Sequence, residues 1–387
     1  MFRFEIIKND EKTDARLGKI ITNRGIIETP AFIPVATKGA VKMLHSKEIS
    51  EIGAQIIITN ALHLFFNPGV EVIEEYGGIH KFMNWSKPII SDSGGFQVQK
   101  PRYFKKITDD FIAFRNPLNN QIFKWTPEES MRIQHKIGAD IIMAFDECTL
   151  YGKNYEYMKK SMLRTLKWAD RCKKFHEGKS SQILFPIVQG GTFDDLREYS
   201  AKKTTELQTP GIAIGGLSVG EPKEITYKML DVVNRNLPKS RLRYLMGIGT
   251  PELIFESVSR GIDLYDSVYP TRTGRHRSAF TSEGLIKITK RCYARDKNPI
   301  DIDCNCFVCK NYSKGYINHL FKSDEPLGKR LMVLHNVHFI IDLSRKIRDS
   351  IRNGTFLDFK KSFLKKWFRN KSNEFKKYQK LGCQMDL

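Results

Sequence analysis

Short apolar runs recur along this sequence, each ending in a polar residue or glycine and followed by a helix-like segment. Runs such as Ile56-Ile57-Ile58 and Ile141-Ile142-Met143 show no alternation with polar residues, which indicates strands that are buried on both faces of a parallel sheet. We predict eight such strands, at 31–37, 55–60, 88–93, 140–146, 183–189, 211–216, 243–249 and 264–270.

Eight strands with intervening helices predict an α/β fold of the (β/α)8 TIM-barrel type, which accommodates a chain of 387 residues with insertions. The alternative is an open doubly wound sheet, but no Gly-x-Gly-x-x-Gly motif follows the first strand. We predict a barrel core at 1–290 and a basic helical tail at 346–387 that packs on the barrel. Between them, at 291–345, a subdomain inserted near the C-terminus contains the clustered Cys304, Cys306 and Cys309 and is therefore expected to bind zinc.

The charge of the chain is strongly positive, since 64 Lys and Arg face 43 Asp and Glu, a net charge of +21. This excess suggests a polyanionic partner, although a chain this rich in Lys, Asn and Ile also fits an AT-rich genome. The start of the chain has no signal-peptide pattern, and no apolar run of about 18 residues predicts a membrane span. Seven cysteines with one tight cluster indicate a reduced protein, and we expect it in the cytoplasm.

The cysteine cluster predicts a metal site. Cys304, Cys306 and Cys309 are followed at a distance by His335, and three thiolates with one imidazole make a closed tetrahedral zinc set of the structural kind. His338 lies one helical turn from His335 and is the alternative fourth ligand. An iron–sulfur cluster fits three cysteines and a histidine less well.

Polar residues and glycines recur where the predicted strands end. Catalytic residues of a (β/α)8 barrel lie at the C-terminal ends of its strands, and one such residue alone merely indicates a turn. Several that converge on one rim indicate a site; they are Asn60, Asp92, Asp146, Gln189, Gly215, Gly216 and Asp266, and the apolar Met246 stands at a further strand end.

The residue types at this rim suit a planar polar ligand. Asp92 and Asp266 can divide nucleophile and acid/base roles at a glycosidic carbon, as in retaining glycosidases. Asp146 and Gln189 can hydrogen-bond the edge of a nucleobase. A zinc-stabilised glycoside hydrolase is therefore an alternative, which the basic charge and the lack of aromatic sugar platforms disfavour.

Further residues near these strand ends can complete such a site. Phe96 and Met246 can stack on the two faces of a heterocycle. Arg272 and Arg275 follow the last strand and can bind phosphates or base edges.

These motifs, in this order, resemble those of the tRNA-guanine transglycosylases (queuine tRNA-ribosyltransferases), from about residue 3 to about residue 360. The resemblance rests on Ser91-Asp92-Ser93-Gly94-Gly95-Phe96-Gln97, Asp146-Glu147-Cys148, Gln189-Gly190-Gly191, Gly215-Gly216-Leu217, Asp266 and the spacing of the cysteines and His335. Cys148 and Val219 are similar to the residues that the bacterial type of this family has at the same positions. The resemblance implies a (β/α)8 barrel with a zinc-bearing insertion.

The family exchanges guanine at the wobble position of a tRNA anticodon for a 7-deazaguanine, which for the bacterial type is 7-aminomethyl-7-deazaguanine. The resemblance implies that Asp266 is the nucleophile, that Asp92 is the general acid/base, and that no organic cofactor is needed. It implies that Arg272 and Arg275 contact the anticodon loop and that the protein is a homodimer. The residues implied to bind the base are Asp92, Ser93, Phe96, Gln97, Asp146, Gln189, Gly216, Leu217, Glu221 and Met246.

Three positions depart from the family pattern. Ala61 lacks the hydroxyl that is common after Asn60, which predicts the loss of a hydrogen bond near Asp92. Thr250 stands where Lys is common, and His276 follows Arg275 where Asn is more usual. A non-catalytic tRNA-binding relative is the alternative function, and the joint presence of Asp92, Asp146, Gln189 and Asp266 argues against it.

Overall fold

The fold is built around eight parallel strands, as predicted from the apolar runs. The computed structural model describes residues 2–99 and 102–368. The barrel strands are β1 Ala31–Pro34, β2 Ile57–Asn60, β3 Ile89–Asp92, β4 Ile141–Met143, β5 Ile183–Phe185 continued by Ile187–Val188, β6 Gly211–Ile214, β7 Leu242–Leu245 and β8 Leu264–Ser267.

The barrel consists of one four-stranded and one five-stranded parallel sheet, and it closes because the two sheets join at both ends. One sheet has the order β5-β4-β3-β2, and the other continues from β5 in the order β6-β7-β8-β1. Pro186 separates the two halves of β5, and its carbonyl still accepts a hydrogen bond from the Ala213 N–H at 2.9 Å. A parallel bridge between Val35 and Ile58 links β1 to β2. The predicted (β/α)8 barrel is thereby confirmed.

Helices surround the barrel, and their termini follow local sequence signals. Thr126 caps one helix by accepting a hydrogen bond from the Glu129 N–H at 3.1 Å, with proline in the first turn and Gly138 at the C-terminus. The α-helices are Ser46–Glu51, Ala61–Phe66, Val70–Glu75, Ile79–Phe82, Gly95–Val98, Pro127–Ile137, Tyr155–His176, Asp194–Thr205, Lys223–Asn236, Pro251–Val258, Tyr269–Arg275, Phe307–Asn311, Lys314–Lys322, Pro326–Arg352 and Phe356–Trp367, with a 3-10 helix at Arg291–Tyr293.

Three antiparallel elements, which the apolar runs did not predict, are added to the barrel. Their strands are Arg3–Asn9, Arg16–Thr22 and Gly25–Thr29 at the N-terminus, Phe104–Ile107, Ile112–Arg115 and Ile122–Trp125 after β3, and the hairpin Ser278–Thr281 with Gly284–Lys287 after β8. Along the chain, the second of these sheets follows the short helix after β3 and precedes the helix Pro127–Ile137.

A buried ionic network holds the N-terminal end of the barrel. Asp263, just before β8, accepts hydrogen bonds from Arg16 Nε at 2.8 Å, from Arg16 Nη2 at 2.6 Å and from the Arg243 N–H at 2.7 Å. Because both charges are buried and their hydrogen bonds are satisfied, this network ties the N-terminal sheet to β7 and β8.

One long helix, Pro326–Arg352, links the C-terminal segment to the barrel, and the predicted boundary at residue 345 falls inside it. The following helix, Phe356–Trp367, packs on the barrel helix Pro251–Val258 through a ring contact of 5.4 Å between Phe359 and Phe255. The rest of the predicted tail, beyond residue 368, lies outside the described residues. Among the residues that are described, no helix has the length and apolarity to cross a membrane.

Candidate active site and metal centre

A cavity of about 360 Å³ opens at the C-terminal ends of the barrel strands. Barrels of this type carry their active sites on that face. The cavity brings together eleven of the residues selected from the sequence, which are Asp92, Phe96, Gln97, Asp146, Gln189, Gly215, Gly216, Leu217, Met246, Asp266 and Arg272.

A larger cavity, of about 680 Å³, lies elsewhere, beside residues 39–49 and Trp85. Its charged residues Glu48 and Arg330 already form an ion pair with each other at 2.6 Å. The smaller cavity, with several carboxylates aimed into it, is therefore the candidate active site.

Asp92, at the end of β3, is half-buried and held by three donors. Its Oδ2 accepts from Asn60 Nδ2 at 2.6 Å, and the Gln97 amide and the Gly94 N–H also donate to the carboxylate. Burial, together with the negative charge of Asp266, raises the pKa of Asp92 to about 6. Asp92 thus has three hydrogen-bond donors although Ala61 carries no hydroxyl group. With this pKa, Asp92 can hold or release a proton near neutral pH.

Asp266, at the end of β8, is the second carboxylate. The Tyr244 hydroxyl at 2.6 Å and the Gly247 N–H at 3.0 Å both donate to the same oxygen, Oδ1. Burial raises the pKa of Asp266. These two hydrogen bonds hold the carboxylate through Oδ1 and leave Oδ2 without either donor.

Asp146 and Gln189 form a polar edge deep in the cavity. Gln189 Nε2 donates to Asp146 Oδ2 at 2.7 Å, and both residues are buried. Burial is the largest cause that raises the pKa of Asp146 to about 7, with the charges of Asp92 and Glu147 adding to it. An ionised Asp146 can accept two N–H groups of a planar ligand, beside an amide that can both donate and accept.

The loop after β6 brings backbone groups to the same edge. Gly216 has φ +65°, and a Cβ on it would lie 2.2 Å from Gln189 Oε1, so only glycine fits there. Glu221 holds the next turn, because its carboxylate accepts from the Ser218 N–H and, at 2.9 Å, from the Val219 N–H. Glu221 thus orders the backbone at one side of the cavity without lining it.

Arg197 is a buried cation beside this loop that the sequence analysis missed. Its guanidinium donates to the carbonyls of Gly191 at 2.7 Å, Val188 at 3.2 Å, Gly215 at 2.8 Å and Gly216 at 2.9 Å. It is 0% exposed, and burial lowers its pKa to about 10. Arg197 therefore joins the ends of β5 and β6 and fixes the carbonyls of the glycine loop.

The remaining selected residues differ in their positions. Phe96 is 40% exposed at the cavity mouth, where Met246 and the exposed Arg272 also lie. Ser93 is buried outside the cavity lining, with its hydroxyl accepting from the Gly95 N–H at 3.4 Å. Arg275 does not line the cavity either, and its Nε donates to the Thr271 carbonyl at 3.2 Å.

The cysteine cluster and His335 form a compact group. The ligand atoms of Cys304, Cys306, Cys309 and His335 all lie within 4.8 Å of one another. His335 Nδ1 is 3.4 Å from both Cys306 Sγ and Cys309 Sγ, while His335 Nε2 bonds the Phe280 carbonyl at 2.7 Å and so leaves Nδ1 for a metal. His338 Nδ1 approaches Cys304 alone, at 3.9 Å.

The donor set of this group fits a metal ion. Three soft thiolates and one imidazole with a fixed ring are the ligands of a closed tetrahedral site. The sequence prediction that these four residues can bind a metal is confirmed, and His335 rather than His338 completes the set.

The cavity as a whole can carry out substitution at a carbon that bears a heterocyclic leaving group. A fixed carboxylate, a second carboxylate with a pKa near neutrality, and a polar edge for a planar ring occupy one space of about 360 Å³. These are the groups that nucleophilic displacement with acid/base assistance requires.

Comparison with known proteins agrees with this chemistry. A family model described as queuine tRNA-ribosyltransferase matches residues 10–369. The chain is 48% identical over 369 residues to the queuine tRNA-ribosyltransferase of Caldanaerobacter subterraneus, an alignment that covers 95% of this chain and 98% of the relative. It is 47% identical to that of Thermoanaerobacter pseudethanolicus (94% and 97% covered) and 47% identical to that of Geobacillus kaustophilus (96% and 98% covered).

Proposed function

Because this chain belongs to the queuine tRNA-ribosyltransferase family, and is thus a pentosyltransferase that acts on tRNA guanine, we propose a defined exchange for it. The enzyme replaces guanine at wobble position 34 of G-U-N anticodons by 7-aminomethyl-7-deazaguanine (preQ1), as a step of queuosine biosynthesis. The observation that carries the proposal is the meeting of Asp92, Asp146 and Asp266 in one cavity.

In the first half of the reaction, Asp266 Oδ2 attacks C1′ of ribose 34. A C1′–oxygen bond forms while the C1′–N9 bond breaks, and the electron pair of that bond leaves with N9 of guanine. Asp92, with a pKa of about 6, supplies the proton that neutralises the departing base. Oδ1 of Asp266 stays bound to Tyr244 and Gly247, which keeps the carboxylate oriented.

In the second half, the incoming base displaces Asp266 from C1′. The covalent ester has removed the negative charge of Asp266, which is one of the causes that raise the pKa of Asp92. Asp92, left ionised by the proton it gave to guanine, therefore stays ionised in the intermediate and is free to accept the N9 proton of the incoming base. Two displacements at one carbon give overall retention of configuration.

Recognition of the base is assigned to the polar edge and the glycine loop. Asp146 and Gln189 bind the ring edge, and the backbone at Gly216 and Leu217 faces the substituent at the 7-position. Glu221 holds this backbone, and the other members of the set are Asp92, Ser93, Phe96, Gln97 and Met246. Gln97 Oε1 is buried and has no partner among the described residues, so it can accept a hydrogen bond from the substrate.

The affinity for free base should depend on pH through Asp146. Its folded-state pKa is raised to about 7, and the ionised form is the one that accepts the N–H groups of the base. We expect binding of guanine to weaken as pH falls below about 7, by up to about tenfold per pH unit, and to be constant at higher pH. Calorimetric titration from pH 5.5 to 8.5 measures this, and Asp146→Asn should give weak binding with a flat profile. A wild-type affinity that is constant across this range would contradict the role of Asp146.

Replacement of Arg197 tests whether the buried guanidinium orders the base site. We expect Arg197→Met to raise KM for the free base by roughly 10- to 100-fold, since four buried carbonyls lose their donor and an order of magnitude corresponds to about 1.4 kcal/mol. KM for tRNA should change little. Arg197→Lys keeps the charge but not the paired guanidinium donors. Its KM for the free base should lie between those of the wild type and Arg197→Met. Equal effects on both KM values in a folded variant would show that Arg197 does not act on the base site.

The remaining parts of the proposal concern RNA, metal and assembly. Arg272, exposed at the cavity mouth, and Arg275 contact bases or phosphates of the anticodon loop. The metal is one structural zinc ion held by three thiolates and one imidazole, and no organic cofactor takes part.

The protein works in the cytoplasm as a homodimer. Exposed apolar side chains beside the metal cluster, such as Phe307 (57% exposed), support a contact with the partner subunit there. Sedimentation at the monomer mass would contradict the dimer.

Base exchange with labelled guanine tests the proposed activity. The protein is incubated with radiolabelled guanine and unmodified tRNA that bears a G-U-N anticodon, without ATP. We expect label to enter the tRNA, and a matched tRNA with adenine at position 34 should take up none. Absence of label from the G-U-N tRNA would reject the function.

A further inference from the structure

We propose that the antiparallel sheet inserted after β3 is a contact surface for the RNA phosphate backbone. We call it the basic sheet; it consists of Phe104–Ile107, Ile112–Arg115 and Ile122–Trp125. The inference rests on the proposed function, because it takes tRNA as the substrate, and it assigns that substrate a surface beyond the anticodon contacts.

The strand register places three cations on one face of the basic sheet. Lys106 pairs with Ala113, which in turn pairs with Lys124, and Arg115 follows Ala113 by two residues. Paired residues and residues two apart share a face, so Lys106, Lys124 and Arg115 lie together. Lys106 and Lys124 are two strands apart, or about 10 Å between backbones.

The opposite face of the basic sheet is anchored, so the cationic face points outward. Phe123 lies 4.8 Å from Phe65, Trp125 lies 5.3 Å from Phe65, and Phe114 lies 5.8 Å from Phe66, all measured between ring centroids. Trp125 and Phe114 are fully buried. Lys106 and Lys124 are exposed, which fits a fixed platform that presents its charges to a partner.

The basic sheet lies next to the candidate active site. It follows the helix Gly95–Val98, whose Phe96 and Gln97 line the cavity. It packs on the helix Ala61–Phe66, which begins directly after Asn60, the partner of Asp92. An RNA whose target nucleotide enters the cavity therefore passes beside this sheet with its backbone.

The cations of this segment lack carboxylate partners. Among the described residues, no Asp or Glu lies within 4.0 Å of the charged atoms of Arg102, Lys105, Lys106, Arg115 or Lys124. Arg102 and Lys124 pack on the rings of Tyr103 and Phe111, and Arg115 donates to the side-chain amide oxygen of Asn120. The two acids of the segment, Asp109 and Asp110, are paired with Arg164, Lys167 and Arg171 of the neighbouring helix. A group of unpaired cations near the catalytic rim matches the charge of an RNA backbone.

A double charge reversal with a matched control tests the proposal. Lys106→Glu/Lys124→Glu is compared with Lys12→Glu/Lys239→Glu, which makes the same change in net charge. Lys12 and Lys239 are exposed near the N-terminal end of the barrel, close to the Arg16 network. The Kd for full-length tRNA is measured between 50 and 300 mM salt, together with KM and kcat of guanine exchange.

We expect the basic-sheet variant to bind tRNA roughly tenfold more weakly at about 0.1 M salt, with a salt dependence reduced by about 1.5 in log–log slope. Because phosphates carry no sequence information, the loss should be equal for tRNAs with guanine or adenine at position 34. KM for guanine should be unchanged in both variants, which shows that they are folded. Equal tRNA affinities for the two double variants would overturn the proposal.

This outcome is separate from a failure of the proposed function. If the wild type does not exchange guanine, the proposed function fails whatever the variants bind. If the wild type exchanges guanine and the basic-sheet variant keeps the KM for tRNA of the control, the basic sheet is not an RNA surface.

Discussion

Asp266→Asn is expected to abolish base exchange and the covalent RNA adduct together. An amide oxygen is a poor nucleophile toward C1′, and removal of the nucleophile from a group of residues that act as a unit costs roughly 10,000-fold or more in rate. The change is isosteric, and the Asn carbonyl can still accept from Tyr244 and Gly247, which hold Asp266 Oδ1. Affinity for tRNA should therefore be close to that of the wild type.

The measurement is a denaturing gel of protein incubated with labelled tRNA. The wild type should show a slowly migrating protein–RNA band that disappears when free base is added, while Asp266→Asn should show none. An adduct that persists in Asp266→Asn would assign the nucleophile to another group, with Asp92 as the first to test, since its charge interacts with that of Asp266.

Cys306→Ser is expected to remove the metal and to lower the stability of the whole C-terminal part. Structural zinc contributes roughly 10–16 kcal/mol to the folding of small modules, and we expect a loss of several kcal/mol here. The reason is the position of the cluster, because His335 is fully buried in the long helix Pro326–Arg352 and also bonds the carbonyl of Phe280. Without the metal, this helix loses its link to the segment around Cys304, Cys306 and Cys309.

The matched control is Cys292→Ser, since Cys292 is an exposed cysteine outside the cluster. Metal content by mass spectrometry should be one zinc per chain in the wild type and in Cys292→Ser, and near zero in Cys306→Ser. In thermal unfolding, Cys306→Ser should have a lower Tm than the wild type, and Cys292→Ser should have the Tm of the wild type. Full metal content and an unchanged Tm in Cys306→Ser would contradict the structural zinc site. His335→Ala should likewise lose the metal while His338→Ala retains it.

The barrel was predictable because its strands are buried on both faces. A run such as Ile141-Ile142-Met143 is typical of a strand that is buried on both faces of a parallel sheet, and it forms the buried strand β4. The antiparallel additions were not predicted, because strands such as Phe104–Ile107 mix lysine with apolar residues and so lack a continuous apolar run. Such short mixed segments acquire their structure from packing against neighbours.

The candidate site was predictable where a polar residue follows an apolar strand, as with Asp92 and Asp266, which both line the cavity. Arg197 was missed because an arginine in an amphipathic helix is usually solvated, and only the fold shows that its guanidinium is buried among four carbonyls. Thr250 was marked as a departure from the family pattern. The structure gives it a local role, since its hydroxyl caps the helix Pro251–Val258 by accepting from the Leu253 N–H at 3.4 Å.

The most direct test of the proposed exchange is the identity of the nucleoside at position 34 after reaction with preQ1. Unmodified tRNA with a G-U-N anticodon is incubated with the enzyme and preQ1, digested, and analysed by mass spectrometry. We expect preQ1 to replace guanine at position 34 and at no other guanine, with one guanine released for each preQ1 incorporated. Unchanged guanine at position 34 in tRNA that the protein nevertheless binds would instead identify a non-catalytic tRNA-binding relative.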